Sequence, residues 1–406
     1  MISSKEALRA LARDVALQPQ EEMLEVGRRS KRLQIGIPRE TSYQENRVGL
    51  VPDSVAVLVS NGHEVVVEAN AGKNANFDDR LYSEAGAKIA YDRKKVFECD
   101  LVLKVAPPGK EEIAMMNHKS TLFSALQLSV QPRDTLKQLM AKKISAIAWD
   151  YIQDADGIYP IVRAMGEIAG NMAVVIAAEY LSSGSKGQGL LLGNISGVAP
   201  AEVVILGAGT VAEHACRAAH GFGALVRVFD FSTYRLRRLQ NNVGNRVFTS
   251  VIQTEELKRA LLTADVAIGA IRGKEGRTPT VVTEEMVSEM KEGSVIVDIS
   301  IDRGGCFETS QVTTHEKPVY RKFGVVHYCV PNIASDVSRT ASIALSNIFT
   351  PLILNIGEEG GCANLIKKDR GFRHGVYLYN GTLTNESLGE AFNLPYKDID
   401  LLFAAF

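Results

Sequence analysis

The sequence has 406 residues, with 46 Lys and Arg against 47 Asp and Glu, so its formal net charge is −1. At about 150 residues per domain, this length predicts two or three domains, each burying a core of its own. The near-neutral charge lacks the basic surplus that a nucleic-acid groove or an anionic membrane selects, so we expect neither as a partner.

The five cysteines are widely spaced, and the closest two, Cys306 and Cys329, are 23 positions apart. This spacing contains no C-x-x-C and no zinc-ligand pair, so the sequence predicts neither a metal site nor a disulfide scaffold. An odd number of dispersed cysteines in a long chain indicates buried thiols in a reducing compartment, which favours a cytoplasmic protein.

Residues 1–32 precede the first predicted strand. They contain no continuous apolar region of the kind found in a secretory signal, and their five acidic residues argue against a transit peptide. Ser4 can cap a helix that carries Leu8 and Leu11 on one face. We therefore predict a helical N-terminal extension, either an arm docked at a subunit interface or a frayed leader.

Short β-branched runs then alternate with helical patterns. The predicted strands of this first series are Leu33–Ile37, Glu64–Glu68, Leu101–Val105, Thr121–Leu126 and Ile144–Trp149. Helical patterns between them include Pro52–Asn61, with Asp53 or Ser54 near its start, and Pro132–Ala141. Strands and helices alternating at this spacing predict a parallel sheet with helices on both faces.

After Pro160 the pattern changes. Ile161–Ser182 predicts one long helix able to cross between domains, and a Gly/Ser-rich loop, 183–197, follows it. The predicted strands of a second series are Glu202–Leu206, Leu225–Phe229, Val266–Ala270, Ser294–Ile299 and Val325–Val330. Ala341–Ile356 is apolar but shorter than the roughly 20 residues of a membrane span, and it predicts a buried helix. The end of the chain lacks strand character.

These elements predict an α/β protein with two doubly wound domains. The two long helices bracket the second series, so we expect a domain spanning 161–338 to be inserted into a first domain formed by 33–160 and 339–406.

The first strand of this second series runs directly into Gly207-Ala208-Gly209-Thr210-Val211-Ala212, a G-x-G-x-x-A pattern that opens a helix. Gly207 suits a tight turn, Gly209 admits a pyrophosphate close to the backbone, and Ala212 permits close packing of helix on strand. The helix N-terminus adds free N–H donors for phosphates. The pattern predicts a Rossmann domain; a Gly-rich turn that binds nothing is the alternative.

The end of the next strand indicates which dinucleotide is bound. Asp230 lies 23 residues after Gly207, where a carboxylate can accept a hydrogen bond from a ribose 2′-OH. The same carboxylate repels a 2′-phosphate, so we predict NAD rather than NADP as the cofactor. The arginines at 235, 237 and 238 could meet a phosphate, but within a following helix they are expected to form a solvated face.

Several motifs together resemble the family shared by alanine dehydrogenase and the alpha subunit of nicotinamide nucleotide transhydrogenase. In the first half they are Ile35–Glu40, Glu45–Val48, Asn61–Val65, Phe77–Asp79, Ala85–Ala87 and Leu103–Val105. In the second half, Met290–Asp298, Ile301–Glu308, Thr313–His315 and His327–Asn332 resemble alanine dehydrogenase in particular. The resemblance implies a substrate domain split around the NAD-binding Rossmann domain, with a substrate cleft between them.

The distance between two strands of the second series favours alanine dehydrogenase over the transhydrogenase subunit. Only 33 residues separate Asp230 from Ala264, which leaves no room for the longer insertion of the transhydrogenase subunit. The resemblance therefore implies an NAD-dependent oxidoreductase that interconverts L-alanine with pyruvate and ammonium, and a homohexamer as the assembly. The alternatives are a transhydrogenase-type subunit that binds NAD(H) and passes hydride to a partner, or a protein that only senses NAD.

The resemblance also implies roles for individual residues. Arg47 matches the arginine that binds the substrate carboxylate, and Lys104 matches the lysine that meets the substrate's carbonyl or carboxylate. Asp302 matches the aspartate beside the nicotinamide that activates water or ammonia, and Asn332 matches an asparagine in the same cleft. Without the resemblance, Arg47 would be interpreted as a surface cation and Asp302 as a turn residue, whereas Lys104, among apolar strand neighbours, would still need a partner.

The sequence departs from the family at Gln127, where the family has the histidine that acts as acid and base. A glutamine amide can form hydrogen bonds but cannot carry a proton near neutral pH. His118 is a weak candidate to replace it, because we expect it at the opposite end of its strand. Two further departures are the loop 273–279 and Gly166, where the family usually has a serine facing the nucleotide.

Overall fold

The computed structural model describes residues 30–126, 133–244, 247–273 and 277–404. The strands are β1 Gln34–Ile37, β2 Glu64–Glu68, β3 Lys88–Ala90, β4 Leu101–Leu103, β5 Thr121–Ser124, β6 Ser145–Ala148, β7 Glu202–Leu206, β8 Leu225–Asp230, β9 Phe248–Val251, β10 Val266–Gly269, β11 Val295–Asp298, β12 Val319–Lys322, β13 Val325–Tyr328, β14 Val376–Tyr379 and β15 Thr382–Leu383.

The helices lie between and after these strands. They are α1 Pro52–Ser60, α2 Asp79–Glu84, α3 Arg93–Phe97, α4 Lys110–Met115, α5 Arg133–Ala141, α6 Pro160–Leu181, α7 Thr210–Phe222, α8 Thr233–Val243, α9 Thr254–Thr263, α10 Glu284–Ser288, α11 Ser338–Glu358, α12 Cys362–Lys368, α13 Arg370–His374, α14 Glu386–Phe392 and α15 Ile399–Ala404. Short 3₁₀ turns are Lys73–Ala75, Trp149–Tyr151, Ser183–Ser185, Ile299–Arg303 and Ile333–Val337.

The strands form two sheets. The first has the order β15-β14-β6-β5-β4-β1-β2-β3, and β1 to β6 run parallel in it. The second has the order β12-β13-β11-β10-β7-β8-β9, and only β12 is antiparallel to its neighbour. In both sheets the strand order reverses direction beside the first strand, which is the doubly wound arrangement.

The predicted fold class is confirmed. The strands of the second sheet all come from the chain between β6 and β14, so this sheet is inserted into the sequence of the first. The domain limits 33–160, 161–338 and 339–406 stay predictions, and the predicted N-terminal extension lies outside the described residues except for its last three.

The expectation that the end of the chain lacks strands is wrong. β14 and β15 form a hairpin, and β14 pairs antiparallel with β6. The two-residue loop between them is Asn380-Gly381, with φ of 48° and 79°. This Asn-Gly pair is the common sequence of a type I′ turn, so it is the signal that would have found the hairpin.

Two long helices lie side by side and connect the two sheets along the chain. α6 and α11 contact each other, and α6 also packs along α7 of the second sheet. Gly170 makes the α6–α7 contact close, because a Cβ there would lie 2.3 Å from the carbonyl oxygen of Val211. By length and composition alone, Pro160–Leu181 and Ile333–Glu358 could each cross a membrane, a test that buried core helices also pass.

The predicted buried helix at Ala341–Ile356 is confirmed as part of α11. Its residues Ala341, Leu345, Phe349, Ile353 and Ile356 are buried. All of these residues except Ala341 belong to the same hydrophobic core as Ile35 and Val65, which lie on β1 and β2. The apolar face of α11 therefore packs against the first sheet. Helix α11 therefore returns the chain from the second sheet to the first.

Candidate active site

The predicted strand–turn–helix unit forms around the Gly-rich turn. β7 ends at Leu206, and Gly207 follows with φ of 110°, where a Cβ would lie 2.4 Å from the carbonyl oxygen of Ala270. Gly209 precedes the first residue of α7, and a Cβ on it would contact nothing within 4 Å. Ala212 is fully buried against the sheet. The backbone at Gly209 is therefore open to a ligand at the N-terminus of α7, which fits a dinucleotide.

Asp230 holds the end of β8 against this turn. Its Oδ2 accepts a hydrogen bond from the Ala208 N–H at 2.8 Å, and its Oδ1 accepts one from the Ser232 N–H at 2.8 Å. Its position beside the turn agrees with the predicted ribose contact, and the contact itself stays a prediction. Arg235 and Arg237 are exposed as expected, whereas Arg238 reaches back and donates from Nη2 to the Ala208 carbonyl at 3.2 Å.

Arg47 is buried, so its interpretation as a surface loop cation is wrong. Its Nε and Nη2 donate to the two carboxylate oxygens of Glu45 at 2.7 and 2.6 Å, and its Nη1 lies 3.3 Å from Met165 Sδ. Burial alone would lower the pKa of Arg47, but the charge and hydrogen bonds of Glu45, together with the charges of Glu40 and Asp302, outweigh it and raise that pKa. Two N–H groups of the guanidinium, one on each Nη, remain for a ligand.

The loop that carries Arg47 is fixed by serines that sequence reasoning missed. Ser335, Ser342 and Ser346 accept hydrogen bonds from the N–H groups of Asn46, Val48 and Val51 at 2.8, 2.9 and 3.0 Å. Two of them lie four residues apart in α11, so they share one face of that helix. Serines four residues apart in an otherwise apolar helix indicate a polar face that can form hydrogen bonds with another segment of the chain.

Asp302 lies on the 3₁₀ turn that follows β11 and is exposed in the cleft. Its Oδ1 accepts a hydrogen bond from the Asn332 N–H at 3.0 Å. Surrounding protein desolvates the carboxyl and raises its pKa, although the Asn332 N–H and the charges of Arg47 and Arg303 act in the opposite direction. Asp302 therefore holds a proton more readily than an aspartate in water does.

Asn332 connects Asp302 to the Arg47 loop. It follows β13 in the left-handed conformation, with φ of 57°. Its backbone N–H binds Asp302, and its Nδ2 donates to Glu45 Oε2 at 3.0 Å. The carboxyl ends of both sheets therefore meet at one network, in which three of the four predicted cleft residues are joined through Glu45.

The fourth, Lys104, is enclosed beside this network. Its side chain has no solvent-exposed surface, and its Nζ lies 2.8 Å from Glu40 Oε2 and 3.3 Å from Glu112 Oε1. Burial alone would lower the pKa of Lys104, but the two carboxylates outweigh it and raise that pKa, so the ammonium stays charged. The partner that a strand lysine needs is therefore present, and the contact with substrate stays a prediction.

Gln127 lies outside the described residues. The neighbouring Leu126 N–H donates to Asp150 Oδ1 at 3.0 Å, so a carboxyl group adjoins this end of β5. Burial raises the pKa of Asp150 to about 6. Asp150 was not among the predicted residues, because an aspartate just after a strand carries no signal that distinguishes it from a turn residue.

Three further features of the sequence were His118, Gly166 and the loop 273–279. His118 precedes β5, at the amino end of the strand, which is the end we expected and is opposite to Asp302 and Lys104. Gly166 lies on α6, where a Cβ would touch Val211 Cγ2 at 3.4 Å. In the loop 273–279, residues 274–276 lie outside the described part of the chain.

The sequence matches two family models, described as "Alanine dehydrogenase/PNT, N-terminal domain" over residues 36–169 and "Alanine dehydrogenase/PNT, C-terminal domain" over residues 173–386. Alanine dehydrogenase 2 of Staphylococcus aureus is 38% identical over 369 residues, which cover 91% of this chain and 99% of that protein. These matches include all of the predicted cleft and turn residues.

Comparison with solved structures supports the same family. A structure of L-alanine dehydrogenase matches with a TM-score of 0.84 and 36% identity, over 89% of this chain and 99% of that one. A transhydrogenase from Sinorhizobium meliloti matches with a TM-score of 0.74 over 87% of this chain and 99% of that one, but at 21% identity it supports the fold alone. The chain belongs to the alanine dehydrogenase/PNT family and is an oxidoreductase of the alanine dehydrogenase type.

Proposed function

We propose that the chain catalyses the reversible, NAD-dependent oxidative deamination of L-alanine to pyruvate and ammonium. The observation that carries the proposal is the network of Asp302, Asn332, Glu45 and Arg47, where the carboxyl ends of the two sheets meet. Ligands of open α/β sheets bind at these ends. The Gly-rich turn lies on the same side of the second sheet and supports a dinucleotide there.

Arg47 would bind the carboxylate of alanine or pyruvate. Glu45 occupies one edge of the guanidinium fork and holds its plane, and Asn332 holds Glu45 in turn. The remaining N–H groups on Nη1 and Nη2 can donate to a carboxylate. A substrate fixed this way has one orientation, which lowers the entropic part of the barrier.

Asp302 would move the protons. In the oxidative direction water adds to the substrate carbon once hydride has left it, and a carboxylate beside that carbon can accept a proton from the water and return it to the nitrogen as ammonia leaves. Desolvation raises the pKa of Asp302, which makes its carboxylate a stronger base than an ordinary aspartate. Bound NAD would supply the hydride acceptor, and Gly207, Gly209, Ala212 and Asp230 would hold it.

The decisive assay follows NADH oxidation with pyruvate plus ammonium, compared with pyruvate alone and with NADPH in place of NADH. We expect a rate that requires ammonium and prefers NADH. Asp302→Asn should lower kcat by about 10²–10⁴-fold, while Asp134→Asn, on the exposed surface of α5, should leave it unchanged. An absence of ammonium-dependent oxidation by the purified protein would overturn the proposal.

A second function is favoured by Gln127. A transhydrogenase-type subunit binds NAD(H) and passes hydride to a partner, so it needs no side chain that carries an amine proton. Under this alternative the protein binds NADH but shows no ammonium-dependent rate, and Gln127→His changes nothing. If instead Gln127→His raises the rate with pyruvate and ammonium, the dehydrogenase proposal is supported.

We also propose that the chain works as a homo-oligomer, a hexamer as in the family, in a reducing compartment such as the cytoplasm. All five cysteines are free thiols, and four of them are buried. Light scattering after size-exclusion chromatography measures the assembly, and a monomer at micromolar concentration would contradict this part of the proposal.

A further inference from the structure

Three arginines lie at the cleft and have no part in the proposed reaction. Arg272 follows β10, and Arg303 ends the 3₁₀ turn after β11, next to Asp302. β10 and β11 are parallel neighbours, so both residues leave the same edge of the second sheet. The Thr278 N–H donates to the Arg303 carbonyl at 2.8 Å, which ties the loop after β10 to this turn.

The third arginine, Arg277, packs against the same turn. A Cβ on Gly304 would lie 2.9 Å from Arg277 Nε, so the side chain runs directly over the backbone after Arg303. Arg272, Arg277 and Arg303 are called the arginine cluster below. The cluster is solvent-accessible: Arg272 and Arg277 are exposed, and Arg303 is partly exposed.

The cluster faces the first sheet across the cleft. Although Arg272 is accessible to solvent, desolvation by the surrounding protein and the nearby charge of Arg303 lower its pKa, and Tyr151, Tyr159 and Asp150 act in the opposite direction. Asp150 and Tyr151 directly follow β6 of the first sheet. Arg272 is therefore near enough to Asp150 and Tyr151, at the carboxyl end of the first sheet, to interact with them electrostatically.

The arginine cluster is free to bind a ligand. Within the described part of the chain, the side chains of Arg272, Arg277 and Arg303 form no hydrogen bond and no ion pair, unlike those of Arg47 and Lys104. Asp150 and Asp302, the carboxyls on which Arg303 acts electrostatically, accept hydrogen bonds from the backbone N–H groups of Leu126 and Asn332 instead. Among the described residues, no side chain therefore occupies the guanidinium donors of Arg272 and Arg303.

Cations from both sheets lie near Asp302. Arg47 and Arg303 both act electrostatically on this carboxyl, and they come from different sheets. With the substrate's first carboxylate on Arg47 and its reacting carbon at Asp302, a longer side chain would extend toward Arg303 and Arg272. A guanidinium pair is suited to a planar carboxylate at that end.

We propose that Arg272 and Arg303 form a second carboxylate site, so that the cleft takes 2-oxo dicarboxylic acids and the matching amino acids in addition to pyruvate and alanine. The inference rests on the proposed function for the position of the first carboxylate. As with pyruvate, NADH supplies the hydride, ammonium supplies the nitrogen, one further proton is taken up from solvent, and the oxo oxygen leaves as water.

Binding is measured first, by equilibrium dialysis of the full chain with NAD against labelled 2-oxoglutarate and, separately, labelled pyruvate. We expect Arg272→Leu and Arg303→Leu each to weaken 2-oxoglutarate binding at least about tenfold, the usual effect of losing a charge-assisted hydrogen bond. Pyruvate binding should change less than about twofold, because it has no second carboxylate. The matched control is Arg259→Leu, whose side chain is 71% exposed on α9 and pairs with Glu256.

Three outcomes decide the inference. If both substitutions leave 2-oxoglutarate binding unchanged, or the protein does not bind it, the inference is wrong, whatever the rate with pyruvate. If they weaken NADH binding and not 2-oxoglutarate binding, the cluster binds cofactor phosphates and the substrate assignment is overturned. If 2-oxoglutarate binding depends on Arg272 while no ammonium-dependent rate exists with either acid, the second carboxylate site stands and the proposed reaction fails.

Discussion

Arg47 and Lys104 show how the protein keeps two cations inside its cleft wall. Arg47 is held by the fork of Glu45, and Lys104 lies between the carboxylates of Glu40 and Glu112. Desolvating a charge is costly, and the attraction of a close partner offsets that cost only while the partner is present. Each carboxylate therefore stabilises the charge of its partner cation. Without it, the folded protein carries the full desolvation cost of that buried charge.

The first prediction concerns Glu45. Glu45→Gln leaves the Arg47 charge buried without a counter-charge, so it should lower the free energy of unfolding by about 3–5 kcal/mol. It should also raise the KM for pyruvate, because the guanidinium loses the contact that orients it. Urea unfolding and steady-state kinetics measure the two effects. Glu84→Gln, on an exposed pair with Arg80, should change neither, and an equal loss in both variants would contradict the prediction.

The second prediction concerns Asp150 and pH. Burial raises its pKa to about 6 from an ordinary value of 3.8, so the folded protein binds this proton more tightly than the unfolded chain does. Ionisation of Asp150 therefore reduces stability as pH rises from about 4 to about 6, and the effect is constant above that range. Asp150→Asn lacks this loss, so its unfolding midpoint should rise relative to wild type across this window. A constant difference at all pH values would contradict the prediction.

At the scale of elements, helix α11 has two functions at once. Its apolar face fills the core of the first sheet, and its serines hold the loop that carries Arg47. The hydrogen bonds join residues almost 300 positions apart, as in the Val48–Ser342 pair with a separation of 294. The buried hydroxyls that interrupt the apolar run are therefore part of the active-site support.

The third prediction tests this support. Ser342→Ala leaves the buried Val48 N–H without a partner, which should cost about 1–3 kcal/mol of stability. Because the Arg47 loop is then less firmly held, KM for pyruvate should rise more than kcat falls. Thermal unfolding and kinetics measure both quantities. Ser60→Ala removes an exposed hydroxyl at the end of α1 and serves as the control, and a Ser342 variant indistinguishable from it would count against this role.

The missed strands have a common position. β3 and β15 are the edges of the first sheet, β9 and β12 are the edges of the second, and β14 adjoins an edge. Edge strands are partly solvated, as the mostly exposed or half-buried residues of β9 and β12 illustrate. The edge strands therefore lack the continuous apolar runs typical of central parallel strands. β14 differs from them, because its four residues are apolar and mostly buried.

At the scale of the molecule, the site depends on how the two sheets are held relative to each other. Helix α6 packs on α11 and on α7, and α7 begins at the Gly-rich turn. The contact at Gly170 allows the backbones of α6 and α7 to approach closely. A change in this contact should therefore shift the N-terminus of α7 and weaken binding of the dinucleotide there.

The fourth prediction is that Gly170→Ala separates these helices. Its Cβ would lie 2.3 Å from the Val211 carbonyl oxygen, so the backbone must shift, and such overpacking costs about 1–3 kcal/mol. The melting temperature should fall and the Kd for NADH should rise, as measured by calorimetry. Gly221→Ala, within α7 and with nothing within 4 Å of its Cβ, should be neutral or stabilising. Unchanged NADH binding in Gly170→Ala would show that the contact does not support the turn.

The central strands, the long helices and the strand–turn–helix unit at Gly207 could be predicted because each depends on a pattern within a short window of sequence. The inserted order of the second sheet followed from the two long helices that bracket its strands. The family motifs added the residues Arg47, Lys104, Asp302 and Asn332. Contacts between distant segments could not be predicted in this way: Asn332 joins Asp302 to Glu45, serines of α11 hold the Arg47 loop, and Arg272 and Arg303 act electrostatically on Asp150. These contacts join segments that are distant in sequence, and only the packing of helices on two sheets brings such segments together.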